Sequence, residues 1–348
     1  MSKVLVTGAT GFVAGHVIED LLRSGHEVRA TVRSLRDPAR FAHLDRIRDA
    51  LGGRLELVEA DLSDDAGWDA AVAGRDHVLH VASPFPPTPP RHEAELIRPA
   101  VDGTLRVLEA SARAGVRRVV VTSSVAAVAA GRSRDESRQR TEEDWSDLDR
   151  AAPYPKSKTL AERAAWRFAA EHPDLEVVTV NPGLVLGPLH HVAAGTSVAL
   201  VRRILNHEMP AIPELGFAPV DVRDVARAHR LAMEVPGAAG NRYICAGDNM
   251  WLADMARILS EEFGPQGYRV PRRSMPYWML WAVGRFDREV RLGLDFVGSP
   301  ERVSADKARS ELGWSMRPLR TTVSDTGRSL IELGLVRSRQ NGATRQLR

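Results

Sequence analysis

The chain has 348 residues but a single cysteine, Cys245, so neither an internal disulfide nor a two-cysteine redox centre can form. Lysine is almost as scarce, with four residues among 48 basic ones, and aromatic residues make up only 5%. No apolar run reaches the roughly 18 residues that a membrane-spanning helix needs. The chain enters its first strand pattern directly, without a charged leader or cleavage site, so a cytoplasmic protein with no membrane partner is expected. The histidines lack metal-ligand spacing: His190 and His191 are adjacent in a loop and His80 ends a strand, so no metal site is expected. Net charge is +3 with a pI near 9.3, and 45 acidic residues are interspersed among the basic ones, which gives no support to a nucleic-acid partner. A hydrophobic content of 43% and ordinary glycine and proline levels describe a globular chain about twice the size of one typical domain.

Against that scarcity, one of the four lysines stands four places after one of the four tyrosines, in Tyr154-Pro155-Lys156-Ser157-Lys158. Chance would place roughly 0.05 such pairs in a chain of this composition. Pro155 is tolerated in a first helical turn, and Leu160, Ala161, Ala164, Ala165 and Phe168 continue a helical spacing. Tyr154 and Lys158 then share one helix face. A phenol with a pKa of about 10 exchanges protons poorly at neutral pH, but a cation one turn away favours its ionised form, which makes Tyr154 a candidate general acid and base.

The N-terminus supplies a partner for such chemistry. Lys3 to Val6 reads as a buried strand, Thr7-Gly8-Ala9-Thr10-Gly11-Phe12-Val13-Ala14-Gly15 as a glycine turn, and Val13, Val17, Ile18, Leu21 and Leu22 as the apolar face of a helix. Glycines let backbone N–H groups and the positive helix end approach a pyrophosphate. The strand from Glu27 to Val32 ends in Arg33 with no carboxylate at its tip. Arginine suits the extra phosphate of NADP, whereas NAD would call for an acid there, so NADP(H) is the expected cofactor.

Strand patterns near 3–7, 27–32, 54–59, 76–82, 117–122 and 175–181 alternate with helical ones, including Glu93 to Ala114 and Ala161 to Ala170. This predicts an α/β fold with a doubly wound parallel sheet and its chemistry at the strands' C-terminal ends. Beyond Asn181 the pattern becomes irregular, with helices near 196–206, 221–234 and 252–263 and short strands near 217–220 and 242–246. Arg132, Arg134, Arg138 and Arg140 read as a solvated loop, Pro84 to Pro90 as a stiff one, and Arg337 to Arg348 as a frayed basic tail. Met275-Pro276-Tyr277-Trp278-Met279-Leu280-Trp281 is either core helix or the roof of an apolar pocket.

The ordered set of glycine turn, Arg33, Val58-Glu59-Ala60-Asp61-Leu62, His80-Val81-Ala82-Ser83-Pro84, Thr122-Ser123-Ser124, Tyr154 with Lys158, and Asn181-Pro182-Gly183 resembles the extended short-chain dehydrogenase/reductases. Within them it is most similar to the branch holding dihydroflavonol reductases, cinnamoyl-CoA reductases and microbial aldehyde reductases, over about residues 3 to 335. The resemblance implies a Rossmann domain over 1–181 with interleaved segments near 217–246, a substrate-binding lobe mainly over 182–335, and a disordered tail over 336–348. It implies a pyrophosphate turn at Gly8, Thr10, Gly11, Phe12 and Val13, the adenosine end at Arg33, Asp61 and Leu62, and a cofactor channel at Ala82 and Ser83. Pro182, Gly183 and Leu184 would face the nicotinamide. Ser124, with Ser123 as the alternative, would bind the substrate carbonyl, Tyr154 would protonate it, and Lys158 would hold the nicotinamide ribose.

The implied activity is NADPH-dependent reduction of an aldehyde or ketone by a monomer or homodimer. A nucleotide-sugar epimerase or dehydratase and a non-catalytic NADP sensor share the scaffold. However, Val125 and Ala126 stand where dehydratases carry an acidic pair, and sensors lose the Tyr and Lys that this chain keeps. Dihydroflavonol reductases have an asparagine where Ala129 stands. The tyrosine segment here lacks the Asn-Trp-Tyr-Cys-Tyr-Gly-Lys signature of cinnamoyl-CoA reductases beyond the catalytic pair. Both departures favour a compact carbonyl substrate.

Overall fold

The computed structural model describes residues 1–83, 92–131, 138–192, 195–285 and 297–336. The expected Pro84 to Pro90 loop, Arg132 with Arg134, and the tail from Arg337 lie outside them. In chain order the first elements are β1 (Lys3–Val6), α1 (Phe12–Arg23), β2 (Glu27–Val32), α2 (Ala42–Leu51), β3 (Leu55–Glu59), α3 (Trp68–Val72), β4 (His77–His80), α4 (Ala94–Arg113), β5 (Arg118–Thr122), α5 (Pro153–Glu171) and β6 (Glu176–Pro182). There follow β7 (Leu184–Leu186), α6 (Thr196–Leu205), β8 (Ile212–Pro213), β9 (Gly216–Phe217), β10 (Pro219–Asp221), α7 (Val222–Glu234), β11 (Arg242–Cys245), β12 (Met250–Trp251), α8 (Leu252–Phe263), β13 (Ser274–Met275) and α9 (Tyr277–Gly284), then helices Asp306–Leu312 and Leu319–Glu332.

Seven strands form one parallel sheet in the order β11-β6-β5-β4-β1-β2-β3, the expected doubly wound fold. Six were expected in sequence order, and β11 adds the seventh from a part of the chain that has already left the sheet and returned. Alternation along each strand explains the two-sided burial. Val4 and Val6 join one core with Val17, Ile18 and Leu21 of α1 and Val225 of α7, while Leu5 between them joins the opposite core with Trp68, Val107, Leu108 and Phe168. Val120 and its neighbours Val119 and Val121 divide the same way.

A separate apolar cluster unites Val198, Val201 and Ile204 of α6, Leu252, Met255 and Leu259 of α8, and Val323 and Leu330 of the C-terminal helix. Asp221 ties this part to the sheet: its buried carboxylate caps α7 by accepting from the Arg223 backbone N–H at 2.9 Å and from Thr322 Oγ1 at 3.0 Å.

Two sequence expectations need correction. Arg140 is not a solvated loop residue, since its side chain is 16% exposed and pairs with Asp144 and its backbone bonds to Arg302 and Ser304 at 3.0 and 2.8 Å, whereas Arg138, 56% exposed, is solvated as expected although it also pairs with Asp144. Trp278 and Trp281, 70% and 50% exposed, are not core residues, and among the described side chains of that stretch only Leu280 is buried.

Candidate active site

The turn after β1 is built by its glycines. Gly8 has φ +73°, in the region L side chains avoid, and a Cβ there would stand 2.9 Å from Ala82 Cβ. Its N–H donates to Thr31 Oγ1 at 3.0 Å, and Gly11 N–H closes the turn on the Gly8 carbonyl at 2.8 Å. Gly11 is the N-cap of α1, and no side chain caps it. The first N–H groups of α1, at Phe12 and Val13, therefore remain available beside the positive helix end, an arrangement that suits a pyrophosphate.

Parallel topology aligns the remaining candidates along one sheet edge. Asp61 and Leu62 follow β3, Arg33 follows β2, the glycine turn follows β1, Ala82 and Ser83 follow β4, Ser124 follows β5, and Pro182 ends β6. The order reverses between β1 and β4, the crevice where such sheets take dinucleotides. At about 4.8 Å per strand, the five steps from β3 to β6 span roughly 24 Å. Arg33 is exposed at its strand tip, and its charge helps hold the Asp61 carboxyl below the ordinary range, after the larger effect of two hydrogen bonds from Ser63. Leu62 packs on Gly103 of α4, where a Cβ would meet Leu62 Cβ at 3.1 Å. Gly183 must be glycine because any side chain would collide with the Ala218 carbonyl, and Leu184 N–H donates to that carbonyl at 2.9 Å.

Ser124 caps the short turn Val125–Ala127, its Oγ accepting from Ala126 N–H at 3.1 Å, and its hydroxyl is hydrogen-bonded to Tyr154. Pro153 rather than Pro155 opens α5, which puts Tyr154 in its first turn and Lys158 one turn on. Tyr154 as a whole residue is 38% exposed, yet burial around its hydroxyl holds the phenol above its ordinary 10.0, with the Ser124 bond opposing. Lys158 is 9% exposed, and burial lowers its pKa to about 8, with the charge of Glu162 opposing. The expected depression of the tyrosine pKa is thus not found here, because desolvation of the phenolate outweighs what its surroundings return.

Sequence reasoning overlooked what lies behind Lys158. Glu162, one turn further along α5 and 1% exposed, accepts from Ser123 Oγ, from Asn181 Nδ2 at 2.8 Å, from Thr179 Oγ1 at 3.1 Å and from Arg242 Nε at 2.6 Å. Arg242 also donates to the Glu142 and Asp144 carbonyls and lies over the Trp145 ring at 3.8 Å. Ser123 is therefore committed to the interior, which leaves Ser124 as the serine facing Tyr154. The i, i+4 spacing of Lys158 and Glu162 was the available signal. His80 is buried neutral, drawn down to about 3 by burial and by Lys158, and bonds Thr7 Oγ1 at 3.0 Å.

Ala129, five places after Ser124, is 7% exposed in an apolar cluster with Val125, Val128 and Ile244. No helix of the described residues is long and apolar enough to cross a membrane.

A family model for the NAD dependent epimerase/dehydratase family matches residues 4–246. The chain is 36% identical over 338 residues to a cinnamoyl-CoA reductase of Medicago truncatula, covering 94% of this chain and 95% of that protein. It is 36% identical over 282 residues to an anthocyanidin reductase of Vitis vinifera, covering 76% and 82%. Among solved structures, the yeast methylglyoxal/isovaleraldehyde reductase Gre2 complexed with NADPH superposes with a TM-score of 0.78 at 29% identity, covering 95% of this chain and 99% of that one.

Proposed function

The chain belongs to the NAD dependent epimerase/dehydratase family, within the extended short-chain dehydrogenase/reductases, and is an NADP(H)-dependent oxidoreductase; from that premise we propose that it reduces an aldehyde or ketone to the alcohol, with Tyr154 as the proton donor. The observation that carries this reading is the hydrogen-bonded pair Ser124 and Tyr154, with buried Lys158 one turn along α5. The cofactor supplies the hydride when bound. Gly8, Gly11 and the N–H groups of Phe12 and Val13 would hold its pyrophosphate, Arg33 its 2′-phosphate, Asp61 and Leu62 its adenine, and Ala82, Ser83, Pro182, Gly183 and Leu184 its path toward Tyr154.

Ser124 orients the substrate oxygen and stabilises charge growing on it, while Tyr154 delivers the proton there. Burial raises the Tyr154 pKa, which favours the protonated phenol that reduction requires of a donor. Lys158 holds the nicotinamide ribose, with the charge of Glu162, itself held by Arg242, favouring its protonated form. In this reading residues 1–181 with 217–246 form the cofactor body and 182–335 mainly the substrate lobe.

The substrate proposed is a compact aromatic or medium-chain aldehyde or ketone. Ala129 offers no hydrogen bond for a polyphenol, and apolar pockets separate analogues that differ by one methylene by only about 1–3 kcal/mol, so a broad substrate range is expected. NADPH oxidation, followed at about 340 nm across carbonyl compounds, CoA thioesters and dihydroflavonols, tests this. A thioester or dihydroflavonol turned over much faster than every simple carbonyl would overturn the substrate assignment. For the mechanism, Tyr154→Phe should lower turnover by about 10² to 10⁴ with NADPH binding intact, and near-normal turnover would remove Tyr154 from the role.

A further inference from the structure

Residues 187–192, which follow β7, lie over α1 and α2 and bring the adjacent His190 and His191 against His16 and His43, which stand far earlier in the sequence. His190 stacks on His16 of α1 with ring centroids 3.9 Å apart, and His191 stacks on His43 of α2 at 3.9 Å. His190 rides over Gly15, where a Cβ would meet its Cδ2 at 3.3 Å. Glu19 lies on α1 three residues beyond His16, on the same face. None of these residues belongs to the proposed reduction site.

His16 Nε2 stands 2.8 Å from the Pro188 carbonyl. A carbonyl only accepts, so Nε2 carries the proton and Nδ1 keeps a free lone pair, the state in which metal-ligating histidines are commonly held by a backbone carbonyl. That Nδ1 is 3.8 Å from Glu19 Oε2. His190 Nε2 is buried and pairs with the same oxygen at 3.1 Å, so a metal ion would take the place of the proton between them. The other carboxylate oxygen is occupied by Arg23, at 2.6 Å from Nη2 and 3.2 Å from Nε, so Glu19 presents Oε2 alone to the histidines.

The three ligand atoms all lie within 4.8 Å of one another. Bonds of about 2.0–2.1 Å in a tetrahedron keep ligand atoms about 3.4 Å apart; the 3.1 and 3.8 Å from Glu19 Oε2 to the two histidine nitrogens bracket that spacing, while the stacked His16 and His190 rings, now 3.9 Å apart, would have to part to about 5 Å on binding. A cavity of about 290 Å³, lined by Glu19, His43, Leu189 and His190 among others, adjoins them and leaves room for water as a fourth ligand. Two imidazoles and one carboxylate suit a borderline transition-metal ion and not calcium or magnesium, which prefer oxygen.

We propose that His16 Nδ1, Glu19 Oε2 and His190 Nε2 form a site for one divalent transition-metal ion of the zinc class, which clips the Pro188–His190 segment onto α1. The role is structural, since the ion would stand on α1 beyond the glycine turn and take no part in proton or hydride transfer.

The test uses the full chain without a histidine tag, freed of metal by a chelator. Zinc binding is read by calorimetry, and cobalt binding by the visible band of a tetrahedral site. Wild type should bind one zinc and gain thermal stability on binding. His190→Ala and Glu19→Gln, both at partly exposed positions, should each weaken binding by at least about 10-fold and lose the stabilisation, while exposed His207→Ala should change neither. NADPH-dependent activity before metal addition checks that each variant is folded. Absence of saturable zinc binding by wild type overturns the proposal, as does unchanged affinity in folded His190→Ala or Glu19→Gln.

Discussion

Replacing Lys158 with methionine should make the protein more stable at neutral pH while disabling it, and the size of the gain follows from the lysine's surroundings. Burial lowers its pKa from 10.5 to about 8 even though the Glu162 charge opposes the shift. Below pH 8 the amine is charged in both folded and unfolded chains, and the folded state bears the whole cost of burying that charge. Between pH 8 and 10.5 the unfolded chain holds more protons, so stability rises with pH, and above 10.5 the effect is complete. The difference of about 2.5 pH units, at about 1.36 kcal/mol each, sets an upper bound of about 3.4 kcal/mol.

Methionine keeps the length and apolar packing of the side chain. Glu162 is not orphaned by the change, because Arg242, Ser123, Asn181 and Thr179 still donate to it. We therefore predict that Lys158→Met gains about 2–3 kcal/mol in urea unfolding at pH 7, that the gain shrinks above pH 8 and that it vanishes near pH 10.5. Turnover should fall steeply. A variant less stable than the parent at pH 7, or a stability difference that stays flat between pH 8 and 10, would refute the reasoning.

The exposed guanidinium of Arg33 should contribute about 1.5–3 kcal/mol to holding a 2′-phosphate, so Arg33→Ala should erase most of the preference for NADPH over NADH, and equal affinities in the parent would show that Arg33 does not read that phosphate. Glu162→Gln should cost about 1.5–3 kcal/mol in chemical denaturation because it removes the carboxylate that buried Arg242 bonds at 2.6 Å, and a loss under about 1 kcal/mol would contradict that pairing. The same change removes a charge that raises the Lys158 pKa, so where Lys158 must be protonated the alkaline limb of kcat/KM, expected near pH 8, should move to lower pH; an unmoved limb would mean that Glu162 does not act through Lys158. Gly8→Ala forces a β-carbon into positive φ and against Ala82, and should lower NADPH affinity in fluorescence titration with a stability loss of at least about 1 kcal/mol; unchanged binding would show that the turn is not the pyrophosphate cradle.

The sequence by itself determined the parts that rest on local periodicity. Alternating valine-rich runs and helical spacings specify the doubly wound parallel sheet, and the i, i+4 relation of Tyr154 and Lys158 follows from helix pitch alone. The glycine turn was legible for the same reason, since Gly8 and Gly11 fall between a strand and a helix only a few residues away. Tertiary structure decided everything that depends on segments meeting across the fold. It turned Ser123 inward to Glu162 and left Ser124 with Tyr154, joined Glu162 to Arg242 across 80 residues, returned β11 to the sheet edge, and set His16 under Pro188 across 172. It also set the sign of the tyrosine shift, because desolvation depends on how many other segments close around a group, and side-chain spacing along one helix carries no record of that.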